Sequence, residues 1–496
     1  MSEQQSSYRQ IMKATSIFGG VQVFNIIIRI IRSKFVAILL GPTGMGITGL
    51  LNSTITLMSS LTNFGLGISS VKDIAEAYAS EDNIRIARIV TVLKRLAWIT
   101  GLFGTVITII LSPWLSEFTF GNRDYTIPFI WISITLFINQ LSLGQLALLQ
   151  GIRKIKYLAN ANLIGAILGL IISLPIYYIW GINGIVPVII ITSFFTMFLS
   201  WFYSKKIITE KIQINRKSTF NLGKGMLKMG FILSLSTLIG TGTSYILRIF
   251  ISNTGGLDQV GLYSAGFVII DTYVGMIFTA MGTDYYPKLS TINNDNSKVR
   301  DLVSQQAILA LLILLPIIIL FLIFSSVAIQ ILYSKMFLPI ESMVNWAILG
   351  MLFKAVSWSM GFILFAKSDS KLFIKTAFGF NAIFLINNIL GYAILGLTGL
   401  GISFLINFIF HYFALLIITK YRYEFYFDKV FYKIFLISIL LCASGFCATS
   451  VLKIPLLRYS LGLTLFIVSC LFSYREFDKR LNLKELLYVY YAKFKR

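Results

Sequence analysis

Histidine, cysteine and acidic residues are scarce in this sequence. There are 1 histidine and 3 cysteines, and 20 acidic residues face 43 lysines and arginines. A single histidine, His411, excludes histidine-based metal motifs and most catalytic triads, and no phosphate loop with its lysine is present. Cys442, Cys447 and Cys470 lie in the last apolar segments without metal-ligand spacing, so we expect neither a disulfide framework nor a zinc site.

Apolar residues are abundant instead. Of the 496 residues, 56% are hydrophobic and only 13% are charged, and the mean hydropathy is +0.80. This composition predicts a polytopic membrane protein.

The net charge of +23 could suit a nucleic-acid partner, but the basic residues lie in short connectors between apolar runs, so no nucleic-acid partner is predicted. The first run, from Ile11, is longer than a signal-peptide core, and we expect no cleaved presequence.

About 20 apolar residues cross a bilayer core, and on this basis the sequence predicts an all-α protein with about 14 transmembrane helices. The predicted spans are 11–40, 44–70, 89–113, 126–150, 157–180, 183–204, 226–251, 259–286, 302–332, 342–366, 372–395, 398–419, 431–452 and 456–474.

The basic residues predict the orientation of these spans. Positively charged connectors are retained in the cytoplasm. If the N-terminus is cytoplasmic, most of the 43 basic residues fall in inner connectors. The outer connectors hold only Arg123, Lys335, Lys453 and Arg458. Both termini are therefore predicted to be cytoplasmic.

Glycine positions indicate an internal duplication. A single offset of 215 residues aligns four glycine pairs at equivalent places relative to the spans. The pairs are Gly46 and Gly261, Gly67 and Gly282, Gly181 and Gly396, and Gly184 and Gly399. Because a unit of six helices enters from the same side in both copies, the two six-helix bundles should be related by a pseudo-two-fold axis along the membrane normal.

The domain organisation follows from this duplication. The predicted parts are an N-terminal six-helix bundle at 1–210, a cytoplasmic linker at 211–225, a C-terminal six-helix bundle at 226–425, an extra pair of transmembrane helices at 426–476, and a cytoplasmic amphipathic tail at 477–496.

No cofactor is predicted. Gly44, Gly46 and Gly49 match the spacing of a dinucleotide-binding motif, but no soluble strand precedes them and the chain continues as a membrane helix. We interpret them as an outer turn followed by close helix packing.

Cations inside the predicted spans are the candidate site. A charge at a helix centre costs about 2.5–3.5 kcal/mol on insertion scales, so such residues are expected to face water or anions. Arg29 and Arg32 share a helix face, about 24–29 Å along the helix from Lys13 and past the midplane. Arg248 aligns with Ser33 under the 215-residue offset, at nearly the same depth.

Lys354 lies near the midplane of span 10 and adds a further cation. We interpret Arg29, Arg32, Arg248 and Lys354 as ligands for an anionic substrate. The alternative is ion pairing with carboxylates such as Asp271.

Two carboxylates are candidates for a coupling ion, H⁺ or Na⁺. Asp271 lies about ten residues into span 8, where it could be a midplane partner or an ion site. Asp284 lies nearer the inner end, where a structural salt bridge is an equal alternative. Several deep cations and few acids favour an anionic substrate over a cationic drug.

Four stretches resemble those of the polysaccharide flippases, the O-antigen translocase group of the multidrug, oligosaccharidyl-lipid and polysaccharide exporter superfamily. They are Leu40 to Gly46 after a first helix with arginines, Gly65 to Tyr78, Tyr286 to Ser290, and Phe353 to Lys371. The resemblance covers the twelve-helix core and extends into the terminal pair.

The resemblance implies two bundles around a central cationic cavity that opens alternately to the two sides of the bacterial inner membrane. It implies an undecaprenyl-pyrophosphate-linked oligosaccharide as substrate and no enzymatic activity. It also implies diphosphate binding by Arg29 or Arg32 and by Arg248, with Lys72 at a position where relatives carry a basic residue. We expect a monomer surrounded by membrane lipids, with a polysaccharide polymerase or ligase as a potential partner.

Two other functions remain open. One is a multidrug or cation antiporter of the same superfamily, which would be expected to carry acidic rather than basic cavity groups. The other is a membrane glycan polymerase or ligase, which typically exposes a large outer loop. The longest outer connector here, around Pro113 to Thr126, is only about a dozen residues long and disfavours it.

Overall fold

A computed structural model describes the chain with short gaps. The described residues are 3–80, 82–207, 212, 214–367, 369–451 and 454–481. Among them, residues 3–26, 216–218, 232–233, 283–284, 450–451, 455 and 481 are described by their backbone only. Most of the predicted tail at 477–496 lies outside the described residues.

Within this part of the chain the secondary structure is helical, with no β-strand. The helices are α1 (Glu3–Thr62), α2 (Leu66–Ala79), α3 (Asn83–Phe120), α4 (Thr126–Gly151), α5 (Ile155–Trp180), α6 (Ile185–Lys205), α7 (Arg216–Phe267), α8 (Met276–Thr291), α9 (Asn296–Leu332), α10 (Glu341–Ala366), α11 (Ser370–Tyr423), α12 (Lys429–Val451) and α13 (Pro455–Leu481). A π-helical segment, Val268–Val274, precedes α8, and short 3₁₀ turns precede α6 and α10.

Glycines with positive φ angles bend the chain at four places. α1 bends at Gly41 (φ 64°) and α7 at Gly256 (φ 83°), and these two residues are 215 positions apart. α5 ends at Gly181 (φ 55°), and α11 bends at Gly396 (φ 57°), again 215 positions apart. Only glycine adopts such angles without steric cost. The matching bends support the duplication inferred from sequence.

Ten helical segments among the described residues are long and apolar enough to cross a membrane. The prediction of a polytopic membrane protein is therefore confirmed. Four of the segments each contain one of the four bends: Ile27–Thr62, Ile155–Lys205, Ser234–Thr291 and Ser370–Tyr423. If each of these four segments crosses the membrane twice, once on either side of its glycine, the ten segments make fourteen spans. The number of spans itself stays a prediction.

The chain forms two compact units. The first, called here the N-terminal unit, is Ile28–Ser264, and the second, the C-terminal unit, is Ala265–Arg496 with Met1–Ile27. Most of α7 thus belongs with the N-terminal unit. The boundaries of these two units differ from those of the predicted six-helix bundles at 1–210 and 226–425. The bundles therefore stay a prediction.

In the N-terminal unit, a buried apolar cluster joins α2, α3 and α4. Leu66 and Ile74 of α2, Leu93 of α3 and Leu148 of α4 are all nearly inaccessible to solvent. Arg95 of α3 contacts the first turn of α7 and the segment before it. Its guanidinium donates to the Ile214 carbonyl at 2.7 Å and to the Thr219 hydroxyl at 2.6 Å.

In the C-terminal unit, α9 is the most buried helix, and α10, α12 and α13 pack against it. Near the start of α13, Arg458 contacts the Glu341 carboxylate at 3.3 Å, and that carboxylate also accepts hydrogen bonds from Ser325 and Ser326 at 2.7 and 2.5 Å. The predicted extra pair of helices corresponds to α12 and α13. The contacts of Arg458 and Glu341 join α13 to α9 and α10.

Candidate functional site

Two equivalent helical turns cross in the N-terminal unit, just after the bends of α1 and α7. A side chain on Gly46 would collide with the Leu257 carbonyl, and one on Gly261 would collide with the Pro42 carbonyl. Gly46 and Gly261 are the pair that the 215-residue offset aligns. The predicted close helix packing after the turn is therefore present, and a side chain at either glycine would force the helices apart.

Beside this crossing, the Thr43 hydroxyl donates a hydrogen bond to the Asp258 carboxylate. These residues are also 215 positions apart. Sequence analysis did not single them out, although the same offset would have paired them.

α7 remains in contact with the second half of α1 away from the crossing. The Tyr245 hydroxyl lies 3.1 Å from the Thr54 hydroxyl and 2.5 Å from that of Thr119 on α3. Further along, the backbones of Gly65 and Gly230 approach so closely that neither site has room for a side chain. These contacts fix the part of α7 that carries Arg248.

Arg248 has no carboxylate partner among the described residues. One guanidinium nitrogen lies 3.4 Å from the Ser244 carbonyl, and the group lies 5.6 Å from the centre of the Tyr263 ring. Its Nε is buried and makes no hydrogen bond to any described residue. A buried donor without an acceptor is costly unless a ligand satisfies it.

The two arginines of α1 differ in their surroundings. The guanidinium of Arg32 lies near the hydroxyl of Tyr177 on α5, a side chain that is 2% exposed. Arg29 is exposed and forms no hydrogen bond or ion pair with a described side chain. The partner of Arg32 is thus uncharged, so the positive charge of the guanidinium is not neutralised by it.

Lys72 lies on α2, about half exposed. Its ammonium group lies 3.7 Å from the Glu76 carboxylate and 3.9 Å from the sulfur of Met229 on α7. Burial and the charge of Glu76 raise the pKa of the neighbouring Asp73 carboxyl. Because the Glu76 carboxylate is near, the charge of Lys72 is partly neutralised. The arginines of α1 and α7 have no such carboxylate among the described residues.

The remaining predicted site residues lie in the C-terminal unit. Asp271 is part of the π-helical segment, where the Gly275 amide donates to the Ile270 carbonyl, five residues back, at 3.0 Å. Such turns are rare and frequently occur at functional sites. The Asp271 carboxylate contacts the Lys354 ammonium at 2.5 Å. Sequence analysis left two interpretations of Lys354, a substrate ligand or an ion pair with a carboxylate. The structure shows the ion pair with Asp271.

Aromatic rings surround the Lys354 ammonium. It lies 5.3–6.0 Å from the ring centres of Phe408, Phe404 and Phe278. Asp284 lies on α8, and its side chain is outside the described part of the structure.

His411 packs against Phe380 and Phe408, with ring centres 4.2 and 6.1 Å away. Among the described residues, no group of three or more histidine, cysteine or acidic side chains could hold a metal ion.

The fold is shared with membrane transporters of known structure. The structure of "Lipid II flippase MurJ, inward closed conformation" matches with a TM-score of 0.71, covering 94% of this chain and 99% of that chain at 16% identity. An inward-facing multidrug resistance MATE family transporter of the MOP superfamily matches with a TM-score of 0.67, covering 83% of this chain and 96% of that chain at 14% identity. The protein has the fold of this class of multi-pass transporters.

Within that class, a sequence model described as "Polysaccharide biosynthesis protein" matches residues 35–342, more than half of the chain. The chain belongs to this family of polysaccharide biosynthesis proteins, which confirms the resemblance found from sequence motifs.

Two curated relatives are similar over most of their length. Lipid III flippase of Escherichia coli is 21% identical over 355 residues, which cover 69% of this chain and 82% of the relative. A Shigella flexneri protein named "Putative O-antigen transporter" is 24% identical over 333 residues, which cover 65% of this chain and 77% of the relative. The relatives are flippases and transporters rather than enzymes, in agreement with the expectation that this chain is not an enzyme.

Proposed function

We propose that the protein is a flippase for a lipid-linked oligosaccharide of a surface polysaccharide. The substrate would be an O-antigen or similar repeat unit on undecaprenyl pyrophosphate, carried from the cytoplasmic to the periplasmic leaflet of the bacterial inner membrane by alternating access. The names of the relatives and the family support the substrate class. The cytoplasmic termini belong to this proposal, because they rest on the distribution of lysine and arginine.

The buried, unpartnered Nε of Arg248 carries the proposal. A cation on a membrane helix without a carboxylate is stabilised by an anionic ligand that supplies the missing acceptor. A diphosphate has several acceptor oxygens and bears the charge that bidentate guanidinium contacts recognise. Arg29 and Arg32 on α1 supply two more guanidinium groups, and Lys72 supplies an ammonium group.

Lys354 and Asp271 would act together in this mechanism. While Lys354 contacts Asp271, the carboxylate is occupied and cannot freely bind H⁺ or Na⁺. A diphosphate that contacts Lys354 would release Asp271 to take up the coupling ion. Asp284 remains the second candidate for that ion.

The cation antiporter is less well supported. A cationic drug would need an unpaired acid, whereas Asp271 contacts a lysine and Arg248 is a cation without a carboxylate among the described residues. The unpaired charge therefore has the sign that attracts an anion.

Replacement of Arg248 tests the proposal. Arg248→Ala should reduce surface polysaccharide at least about tenfold at matched protein levels, because one charge-assisted contact contributes about 1.5–3 kcal/mol. Arg248→Lys, which keeps the charge without the bidentate geometry, should retain part of the activity. Normal polymer from the Ala variant would remove Arg248 from the substrate site.

A further inference from the structure

A second potential ligand site lies in the N-terminal unit, apart from the arginines. It is a pocket of about 510 Å³ between α3, α4 and α6. Its size falls within the range of about 300–1,000 Å³ typical of small-molecule sites. The wall is mostly apolar, and it includes Leu93, Leu141 and Met197.

Two matching pairs of side chains lie at this pocket: Lys94, Trp98 and Trp201 line it, and Lys205 directly follows the lining residue Ser204. On α3, Lys94 precedes Trp98 by four residues, and on α6, Trp201 precedes Lys205 by four residues. Residues four apart lie on one helix face. Because the predicted spans run in opposite directions, both lysines are expected towards the same, cytoplasmic end, with both tryptophans one turn deeper.

Both tryptophans that line the pocket are partly open to the surface. Trp98 is 53% exposed and Trp201 is 45% exposed, although both line the pocket. The Lys205 ammonium lies 5.1 Å from the centre of the Trp201 ring. Tryptophan and lysine in this order are typical of the depth where acyl chains meet headgroups.

The charge at the pocket has one sign. No hydrogen bond or ion pair is found between Lys94 and any described side chain. No carboxylate is among the described residues that line the pocket, and the sequences of α4 and α6 contain no Asp or Glu. Polar groups near this end come from Gln145 and Ser204. The site therefore combines an apolar wall with one lining cation, Lys94, and a second cation, Lys205, beside it, and neither has a carboxylate partner among the described residues.

We infer that this pocket binds one anionic phospholipid of the inner leaflet. Lys94 and Lys205 contact its phosphate, and one acyl chain lies between Trp98 and Trp201 along the apolar wall. Basic pockets between transmembrane helices on the cytoplasmic side bind acidic lipid headgroups in this way. Through this bound lipid, the contacts among α3, α4 and α6 of the N-terminal unit would depend on the lipid composition of the membrane.

Quenching of tryptophan fluorescence tests this inference on the purified full-length protein. Bromine-labelled phosphatidylglycerol or phosphatidylcholine is added in mixed micelles, and the signal of the Trp98→Phe/Trp201→Phe variant is subtracted to isolate these two of the 7 tryptophans. Phosphatidylglycerol should reach half-quenching at a mole fraction at least about fivefold lower than phosphatidylcholine. Equal curves for the two lipids would overturn the inference.

Charge variants locate the headgroup. Lys94→Gln/Lys205→Gln should move the phosphatidylglycerol curve onto the phosphatidylcholine curve. The matched control Lys371→Gln/Lys375→Gln removes two exposed lysines from α11 and should leave the preference intact. A loss of preference in both double variants would show a general surface-charge effect and contradict a specific site.

A steric variant locates the acyl chain. A side chain at Gly144 would first meet Ala97 at 3.6 Å, and one at Gly165 would first meet Leu199 at the same distance. Gly144→Leu should therefore weaken quenching by both lipids, while the matched Gly165→Leu should not. Unchanged quenching in Gly144→Leu would contradict the site. Selective displacement of phosphatidylglycerol by undecaprenyl phosphate would also overturn it, because the occupant would then be the tail of the substrate.

Discussion

The deep cations of the two units differ in what they contact. In the N-terminal unit, Arg32 contacts a tyrosine hydroxyl, and Arg248 contacts a backbone carbonyl and a tyrosine ring. In the C-terminal unit, the deep cation Lys354 contacts the carboxylate of Asp271.

This difference separates two uses of a charge within a membrane protein. A cation with a carboxylate partner is neutralised within the fold and contributes to holding helices together. A cation with only uncharged partners keeps its attraction for an external anion. In the proposed function, the cations of the N-terminal unit are the ones that would bind the diphosphate, and the ion pair of the C-terminal unit is the one that the anion would open.

The duplication makes the comparison sharper. At the offset of 215 residues, Asp271 corresponds to Thr56 and Lys354 corresponds to Asn139, and both of these counterparts are uncharged. The first repeat therefore lacks the ion pair that the second repeat has.

The largest effect is expected where the repeats touch. Gly261→Leu should abolish transport, because its side chain would collide with the Pro42 carbonyl and separate α1 from α7. Gly225→Leu is the matched control on α7, because no atom lies within 4 Å of a side chain placed there. Surface polysaccharide at matched protein levels is the measurement. Normal polymer from Gly261→Leu would show that this crossing is not required.

A smaller effect is expected from breaking the ion pair of the C-terminal unit. Lys354→Gln should lower the free energy of unfolding by about 1–2 kcal/mol, less than for a fully buried pair because Asp271 is 47% exposed. The double variant Lys354→Gln/Asp271→Asn should recover much of this stability. Thermal unfolding in detergent measures both. A double variant less stable than the single one would contradict direct pairing.

The smallest effect is expected at the contact between α10 and α13. Arg458→Gln should destabilise the protein by about 1 kcal/mol, because Glu341 loses a charged partner in a site where both side chains are less than a third exposed. Arg123→Gln, which breaks an exposed pair with Glu117 at 3.0 Å, should cost less than about 0.5 kcal/mol. Equal losses of stability would remove the distinction between partly buried and exposed pairs.

The membrane class could be predicted from sequence alone, because the length of apolar runs reflects a local requirement of the chain. The family could be predicted from the resemblance of four stretches to known flippases. The repeat inferred from glycine spacing is supported by the matching bends and stays a prediction. Gly46 and Gly261 could be paired from their spacing, since close helix contact excludes other residues at both. The bends at Gly41 and Gly256 share that spacing, but only the φ angles reveal them as equivalent.

Contacts between helices could not be predicted in the same way. The proximity of Arg32 to Tyr177 depends on how α1 packs against α5, and no spacing rule relates the two residues. The ion pair of Lys354 was foreseen as an alternative, because charges deep in a membrane need partners. Choosing between a ligand and a carboxylate required the positions of both helices.

The most direct measurement of the central claim is binding of undecaprenyl pyrophosphate to purified variants. Arg29→Ala and Arg248→Ala should each weaken binding at least about tenfold, since each removes a charge-assisted contact. Asp271→Asn should bind as tightly as the unmodified protein or more tightly, because Lys354 is released from its partner. Unchanged affinity in both arginine variants, or a large loss in Asp271→Asn, would contradict the account.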